Sequence, residues 1–337
     1  MEVNIENPTE LVNYLERSGR ITAGTRPKVS VLGGGVSNRT VLVEQAEGTA
    51  WVLKQALPKL RVADDWYCDP ARIELESLAL QWLEKLIPEA VPRFIFSDKS
   101  NSLFAMTAVP RPHVNWKTLL LAGEIGCDLV QKFGELLGQI HRSSSRPANE
   151  WKNRFSDRTF FDALRLDPYY RRAAERNPSC AAFFRQLIDE TRAVQEALVH
   201  GDFSPKNILV HEGSLILLDY EVMHLGDPAF DLGFSLTHLL SKANHLAPHR
   251  SKLLEATHVY WNSYSQSLSS ARALTIGERA VRHTLGCLLA RVDGRSPLEY
   301  LTAAERDRQR RVSTELMRSS PKTIPDLIDA FAENLSP

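Results

Sequence analysis

Two apolar runs, over residues 207–210 (NILV) and 214–220 (SLILLDY), are separated only by the turn His211-Glu212-Gly213 and predict a β-hairpin. This hairpin constrains the chain because its ends carry charge. HGDFSPK leads into the first strand, and Asp219 closes the apolar run of the second. Asp202 is followed five positions later by Asn207, so the hairpin brings Asn207 and Asp219 to neighbouring ends of adjacent strands.

Asp, Asn and Asp in this spacing form a metal-and-base set of the kind used in phosphoryl transfer. Asn207 and Asp219 are the expected ligands of one Mg²⁺, a cation that takes one or two carboxylates plus phosphate oxygens and water. Asp202 is placed to accept the proton of an attacking hydroxyl, with His200 bracing its loop by hydrogen bonds. Glu221 reads as a direct or supporting metal ligand, and Lys206 either as a contact to a γ-phosphate or as an exposed side chain. No Lys or Arg occurs over 207–241, yet Glu212, Asp219, Glu221, Asp227 and Asp231 do. Carboxylates left uncompensated repel one another, and a bound divalent ion would offset that cost. Glu212 fits a solvated turn, whereas Asp227 and Asp231 fit the first turn of a helix, in a structural role.

Upstream, residues 10–17 have helical spacing, and 29–32, 40–43 and 50–54 read as strands. The first turn holds Gly33-Gly34-Gly35. Gly34 and Gly35 can bring backbone N–H groups close to an anion, with Ser37 and Asn38 as polar contacts; a plain hairpin turn is the other reading. Lys54, ending the third strand, is of the type that neutralises nucleotide phosphates and pairs with a helix carboxylate. That helix should open at Asp69-Pro70, with Leu75, Leu78, Leu83 and Leu86 as its apolar stripe. Glu74 and Glu76 are both candidates for the lysine, and Glu76 is preferred because Leu80 and Leu83 continue its face. VPRFIFSD and SLFAMTAV complete five strands, and PRPH reads as a hinge. The expected division is 1–109, with backbone around Thr107 and Val109 facing an adenine ring, and 110–337.

The second part reads as mostly helical, with helices over 128–141, 181–197, 235–241, 252–266, 276–291 and 303–317, and SSSRPANE as a loop. Arg165, Asp167, Tyr169 and Tyr170 form a polar–aromatic cluster that fits either a substrate pocket or a capping role, and His283, Cys287 and Met317 read as core. The four cysteines lack metal-ligand spacing and are expected to be buried thiols of a reducing compartment. At 337 residues two lobes are expected. A formal net charge of zero argues against a nucleic-acid partner, and no apolar run is long enough to cross a membrane. The N-terminus does not read as a leader, so the cytoplasm is the expectation; oligomeric state is not readable.

HGDFSPKNILV, LLDYE and GDPAFDLGF together resemble the aminoglycoside phosphotransferase and choline kinase superfamily, and KQALPKLRVADDWYCDPARIELESLAL with VPRFIFSD is similar to methylthioribose kinase. The resemblance implies an α+β, bilobal, protein-kinase-like fold with a small five-stranded antiparallel N-lobe, one main helix and a larger helical C-lobe. It further implies ATP and Mg²⁺ as cofactors and a small-molecule alcohol (amino sugar, sugar or amino alcohol) as acceptor. Asp202 would be the base, Asn207 and Asp219 the metal ligands, Lys54 the phosphate contact and Glu76 its partner. A protein kinase is disfavoured because little chain separates Asp219 from GDPAFD. A non-catalytic nucleotide-binding regulator is disfavoured because Lys54, Asp202, Asn207 and Asp219 are all present.

Overall fold

A computed structural model describes residues 3–33, 35–46, 48–62, 65–145 and 152–335. Contacts divide the chain into one unit of Met1–Arg111 with Ile216–Glu221 and another of Pro112–Leu215 with Val222–Pro337. A single cut after Val109 does not express this division. The chain returns to the first unit at Ile216, for the segment that carries Asp219 and Glu221.

In the first unit, α1 (Pro8–Arg17) starts at Asn7, whose side chain accepts from the Thr9 and Glu10 N–H groups. Strands β1 (Lys28–Val31), β2 (Asn38–Glu44) and β3 (Ala50–Ala56) precede α2 (Arg72–Leu86), followed by β4 (Phe94–Asp98) and β5 (Leu103–Thr107). They form one antiparallel sheet in the order β1-β2-β3-β5-β4. Val41, Leu53 and Ala105 are opposite one another in this register and pack into a buried cluster with Leu11 and Leu15 of α1. Side chains alternate along a strand, so Lys54 and its partner Phe104 face the other side, where α2 lies.

Helix α2 is rolled differently from its leucine spacing. Ile73, Glu76, Ser77, Leu80 and Leu83 are buried, while Leu75, Leu78 and Leu86 are only partly so. Two polar anchors set the roll: Glu76 reaches Lys54, and the fully buried Arg72 donates to the carbonyls of Ser37, Leu57, Cys68 and Asp69. An unpartnered buried charge costs more than a half-exposed leucine, so the ionic contacts decide.

The second unit begins with β6 (Val114–Asn115), α3 (Trp116–Leu121) and α4 (Cys127–Ser144). Next come α5 (Thr159–Phe161), a π-helical stretch Asp162–Arg171, α6 (Arg172–Arg176) and α7 (Ala181–Ala193). Strands β7 (Ala197–Val199), β8 (Ile208–His211), β9 (Ser214–Leu217) and β10 (His224–Gly226) precede the helices α8 (Pro228–His245), α9 (Arg250–Ser265), α10 (Ser270–Asp293), α11 (Ala303–Arg318) and α12 (Ile324–Asn334). The sheets are β6-β8-β9 and the antiparallel pair β7-β10.

Several expectations change. The helix expected over 181–197 stops at Ala193, because Val194 is extended and Ala197–Val199 pairs with His224–Gly226. Three-residue strands are too short to show a period. The hairpin is confirmed but shorter: Asn207 lies in the 3₁₀ turn Pro205–Asn207, and Asp219 and Tyr220 follow β9. Glu212 (φ 48°) and Gly213 (φ 73°) are both left-handed, as a two-residue hairpin turn requires. Pro168, lacking an N–H, sits inside the π-helical stretch. Helix α12 was not anticipated, residues 146–150 of the SSSRPANE loop lie outside the described residues, and Cys127 is exposed rather than buried. No helix among the described residues is long and apolar enough to cross a membrane.

Helix α8 packs against α9 and α10, and α4 packs against α9. The α4–α9 contact is close enough to require glycine: a Cβ on Gly134 would lie 2.6 Å from the Tyr260 carbonyl and 3.1 Å from the Tyr264 nitrogen. Backbone cannot yield as a side chain can. Gly134→Ala should therefore lower stability by ~1–3 kcal/mol, as for other overpacked sites, read as a lower urea midpoint at unchanged m-value.

Candidate active site

The segment His200–Phe203 makes no regular structure, yet its backbone polar groups are largely satisfied. Asp231 Oδ2 accepts from the His200 N–H at 2.7 Å, and its Oδ1 accepts from the Gly201 N–H at 2.8 Å. The Gly201 carbonyl accepts from Arg165 Nε at 2.7 Å. His200 Nδ1 accepts from the Asp202 N–H at 3.1 Å, and Asn207 Nδ2 donates to the Asp202 carbonyl at 3.0 Å. The Phe203 carbonyl accepts from Ser235 Oγ at 2.7 Å, and the Phe203 ring stacks on Phe133 at 4.4 Å. Gly201 is left-handed (φ 78°), and a Cβ there would meet Val222 Cγ2 at 2.7 Å. Asp202 is thus held by its own backbone, not by its neighbours in a helix or sheet.

The Asp202 side chain is 10% exposed, and its Oδ2 is 3.0 Å from Arg165 Nη2. Arg165, from the polar–aromatic cluster, is a direct partner of the expected base, which sequence alone left open. Asn207 Nδ2 is committed to a carbonyl, which leaves Oδ1 as the side chain's acceptor atom.

Asp231 is fully buried, and His141 Nε2 donates to its Oδ2 at 3.2 Å, while the Tyr264 hydroxyl bonds His141 Nδ1 at 3.0 Å. Burial acts to raise the Asp231 pKa, but these donors outweigh it and hold the carboxyl below its ordinary range. Asp227 caps α8 through the Ala229 N–H and pairs with Arg279 at 3.0 Å. Sequence reading found the structural character of both acids. It missed that Asp231 is the anchor of residues 200 and 201.

In the first unit, Lys54 Nζ contacts Glu76 Oε1 and lies 2.7 Å from Asp219 Oδ1. Of the two candidate carboxylates, Glu76 is the partner, while Glu74 pairs with Lys99 at the surface. Glu221 is taken up by Arg72 at 3.2 Å, so the Glu221 carboxylate is already bonded. Burial pushes the Glu76 carboxyl up, and the charges of Asp219 and Glu221 add to this. Burial works against the Lys54 ammonium, yet Asp219, Glu76 and Glu221 hold its pKa above the ordinary value. Asp219 has φ 70°, a left-handed backbone that a non-glycine residue adopts at a cost of order 1 kcal/mol.

These pairings correct the charge argument for the acidic segment. Asp219, Glu221, Asp227 and Asp231 are each compensated by partners from elsewhere in the chain, and only Glu212 is a solvated acid. What remains is local: Glu76, Asp219 and Glu221 face the two cations Lys54 and Arg72, a surplus of one carboxylate that a divalent ion on Asp219 would neutralise. Among the described residues no group of three or more His, Cys, Asp or Glu can hold a metal. Mg²⁺ does not need one, since it takes most of its ligands from phosphate and water.

Of the other expected contacts, Gly34 lies outside the described residues, and a Cβ at Gly35 would meet only Asn38 O and Thr40 Oγ1 at 3.7–4.0 Å. Ser37 and Asn38 are buried, with the Ser37 carbonyl bonded by Arg72 and Leu57. Thr107 pairs with Arg93 through both N–H and Oγ1, the Ala108 N–H is bonded to Ala50, and Val109 is partly exposed. Lys206 is exposed, and its carbonyl accepts from Asn115.

Residues 28–262 match the family model described as the phosphotransferase enzyme family. The chain belongs to that family. It is 25% identical to methylthioribose kinase 1 of Oryza sativa subsp. japonica, over 75% of this chain and 69% of that protein. It is 26% identical to methylthioribose kinase of Pectobacterium atrosepticum, over 81% and 76%. Among solved structures, an amicoumacin kinase in complex with AMP-PNP, Ca²⁺ and amicoumacin superposes with a TM-score of 0.56 at 17% identity, covering 89% of this chain and 91% of that one. The fold is that of the kinase-like phosphotransferases, as the sequence resemblance implied. Membership makes this phosphotransferase an enzyme that acts with a nucleotide and a small molecule.

Near the loop, His224 donates Nδ1–H to the Val222 carbonyl and lies under the Phe161 ring at 4.0 Å. Burial pushes its imidazole down to about 4. The unfolded chain therefore binds the proton more tightly, and stability is fully present above pH ~6.5 and lost as pH falls towards 4. His224→Gln should flatten urea-monitored stability across that window, by on the order of 3 kcal/mol relative to the parent. Equal pH slopes in the two proteins would contradict the assignment.

Proposed function

We propose that the protein transfers the γ-phosphoryl group of ATP to a hydroxyl of a small molecule, in the cytoplasm. The observation that carries this reading is the satisfied backbone of residues 200–203, which holds the Asp202 carboxylate with one oxygen on Arg165. Asp202 accepts the proton of the attacking hydroxyl and orients it towards the phosphorus, and Arg165 fixes the carboxylate's rotation. Lys54, aligned by Glu76, binds the nucleotide phosphates, and the glycine turn at Gly34 and Gly35 approaches them by backbone N–H groups. Ser37 and Asn38 add polar contacts, and backbone near Thr107 and Val109 faces the adenine.

Asn207 in the second unit and Asp219 in the first each carry a hard oxygen of the kind Mg²⁺ takes, and the ion would neutralise phosphate charge. Glu221 acts one layer back, through Arg72. The short run from Asp219 to the α8 cap at Asp227 leaves little chain on which to dock a peptide, which favours a small acceptor over a protein. The names of the methylthioribose kinases support a sugar-type alcohol within the amino sugar, sugar and amino-alcohol range.

Asp202→Asn should lower ADP release in the presence of acceptor by ~10²–10⁴-fold, the range typical of losing a general base. Its affinity for a nucleotide analogue, measured by calorimetry, should stay within about threefold of the parent. Turnover close to the parent's would remove Asp202 from the mechanism.

A further inference from the structure

Within the second unit, α8 carries two unusual residues one turn apart, His238 and Lys242. Lys242 is fully buried, donates to the His238 carbonyl of its own helix at 3.2 Å and lies 5.4 Å from the Tyr300 ring. Arg291 of α10 is 7% exposed, bonded to Ser296 and to the Tyr169 hydroxyl at 3.2 Å. Neither cation has a carboxylate within ion-pair distance among the described residues. Lys117 Nζ also lies 5.8 Å from the Tyr300 centroid and pairs with Glu299, while Glu305, the other carboxylate acting on Tyr300, is bonded by His245.

Three enclosed polar atoms in this cluster have no hydrogen-bond partner: His238 Nε2, Arg291 Nε and the Tyr300 hydroxyl. A water molecule can satisfy a hydroxyl or an imidazole, but it brings no negative charge to the Arg291 guanidinium or to a protonated Lys242. Burial, with Lys117 and Arg291 adding charge of the same sign, pushes the Lys242 ammonium down to about 7. Isolated buried cations are costly unless something negative completes them.

The cluster is tied to the base. Arg291 lies 5.5 Å from the centroid of the Tyr169 ring and Arg165 lies 5.8 Å from the same centroid, while Arg165 bonds Asp202. An acceptor whose hydroxyl meets Asp202 would point its far end along this line of cations.

We infer that the acceptor is an anionic alcohol, whose carboxylate or phosphate group is received by Lys242, Arg291 and Lys117, with Tyr300 and His238 as hydrogen-bond donors. This rests on the phosphotransferase reading above and narrows its acceptor. It disfavours cationic amino sugars and choline-like alcohols, which would be repelled by the cluster.

The test has two arms. In the first, ADP release is measured with ribose, ribonate, ribose 5-phosphate and choline as matched neutral, carboxylate, phosphate and cationic probes. Ribonate or ribose 5-phosphate should show a kcat/KM at least tenfold above ribose, the better of the two identifying the anion. Lys242→Met and the partly exposed Lys117→Met should each raise the KM of that acceptor at least tenfold with a smaller change in kcat. In the second arm, thermal stabilisation by inorganic phosphate is measured with ADP and Mg²⁺ saturating, and should be lost in Lys242→Met. Higher kcat/KM for ribose or choline, or no stabilisation by phosphate, overturns the inference while leaving phosphotransfer standing. No ADP release with any probe, alongside phosphate stabilisation that Lys242→Met abolishes, counts against the phosphotransfer reading and keeps the anion site.

Discussion

The Asp231 carboxylate gripping two consecutive backbone N–H groups is the interaction on which the rest of the site depends. A loop that makes no ladder hydrogen bonds would ordinarily fluctuate. Here a buried anion, itself held by His141 and seated on the rigid α8, replaces the missing ladder. Hydrogen bonds to a charged acceptor are about twice as strong as neutral ones, and a dry interior strengthens them further. Arg165, Asn207 and Ser235 bond the carbonyls of Gly201, Asp202 and Phe203, so Asp202 is positioned by the structure before any substrate arrives. That preorganisation is what a reaction with little covalent chemistry of its own needs from a protein.

The first unit solves a complementary problem. Lys54 is buried with two carboxylates, one from α2 and one from the segment after β9, and Arg72 is buried with a third. Sheet alternation places Lys54 opposite the apolar α1 face, and the roll of α2 follows from satisfying its charges. The surplus negative charge gives a physical reason for a divalent ion that the bare count of acids along 207–241 did not. That count treated sequence neighbours as spatial neighbours, and the partners came from Arg279, His141, Lys54 and Arg72, far away in the chain.

What was legible in the sequence was what is local or strongly patterned. The hairpin over β8 and β9, the five strands of the first unit and the choice of Glu76 over Glu74 all follow from period and spacing. What was not legible is long-range. Arg165 stood in a recognised cluster, but only the π-helical turn through Pro168 places it against Asp202. The strands β7 and β10 are too short to show alternation, and Lys242 lies just past the helix expected over 235–241, whereas α8 runs on to His245 and buries it. Tertiary burial overrode the usual exposure of lysine, and that exception points to the acceptor.

The most direct measurement of the central claim is phosphorus NMR of the protein with ATP, Mg²⁺ and a panel of small alcohols. Phosphotransfer to a hydroxyl predicts one new phosphomonoester resonance that grows in step with ADP, and that chelation of the divalent ion stops. ADP accompanied only by inorganic phosphate, or ATP unchanged across the whole panel, would contradict the account.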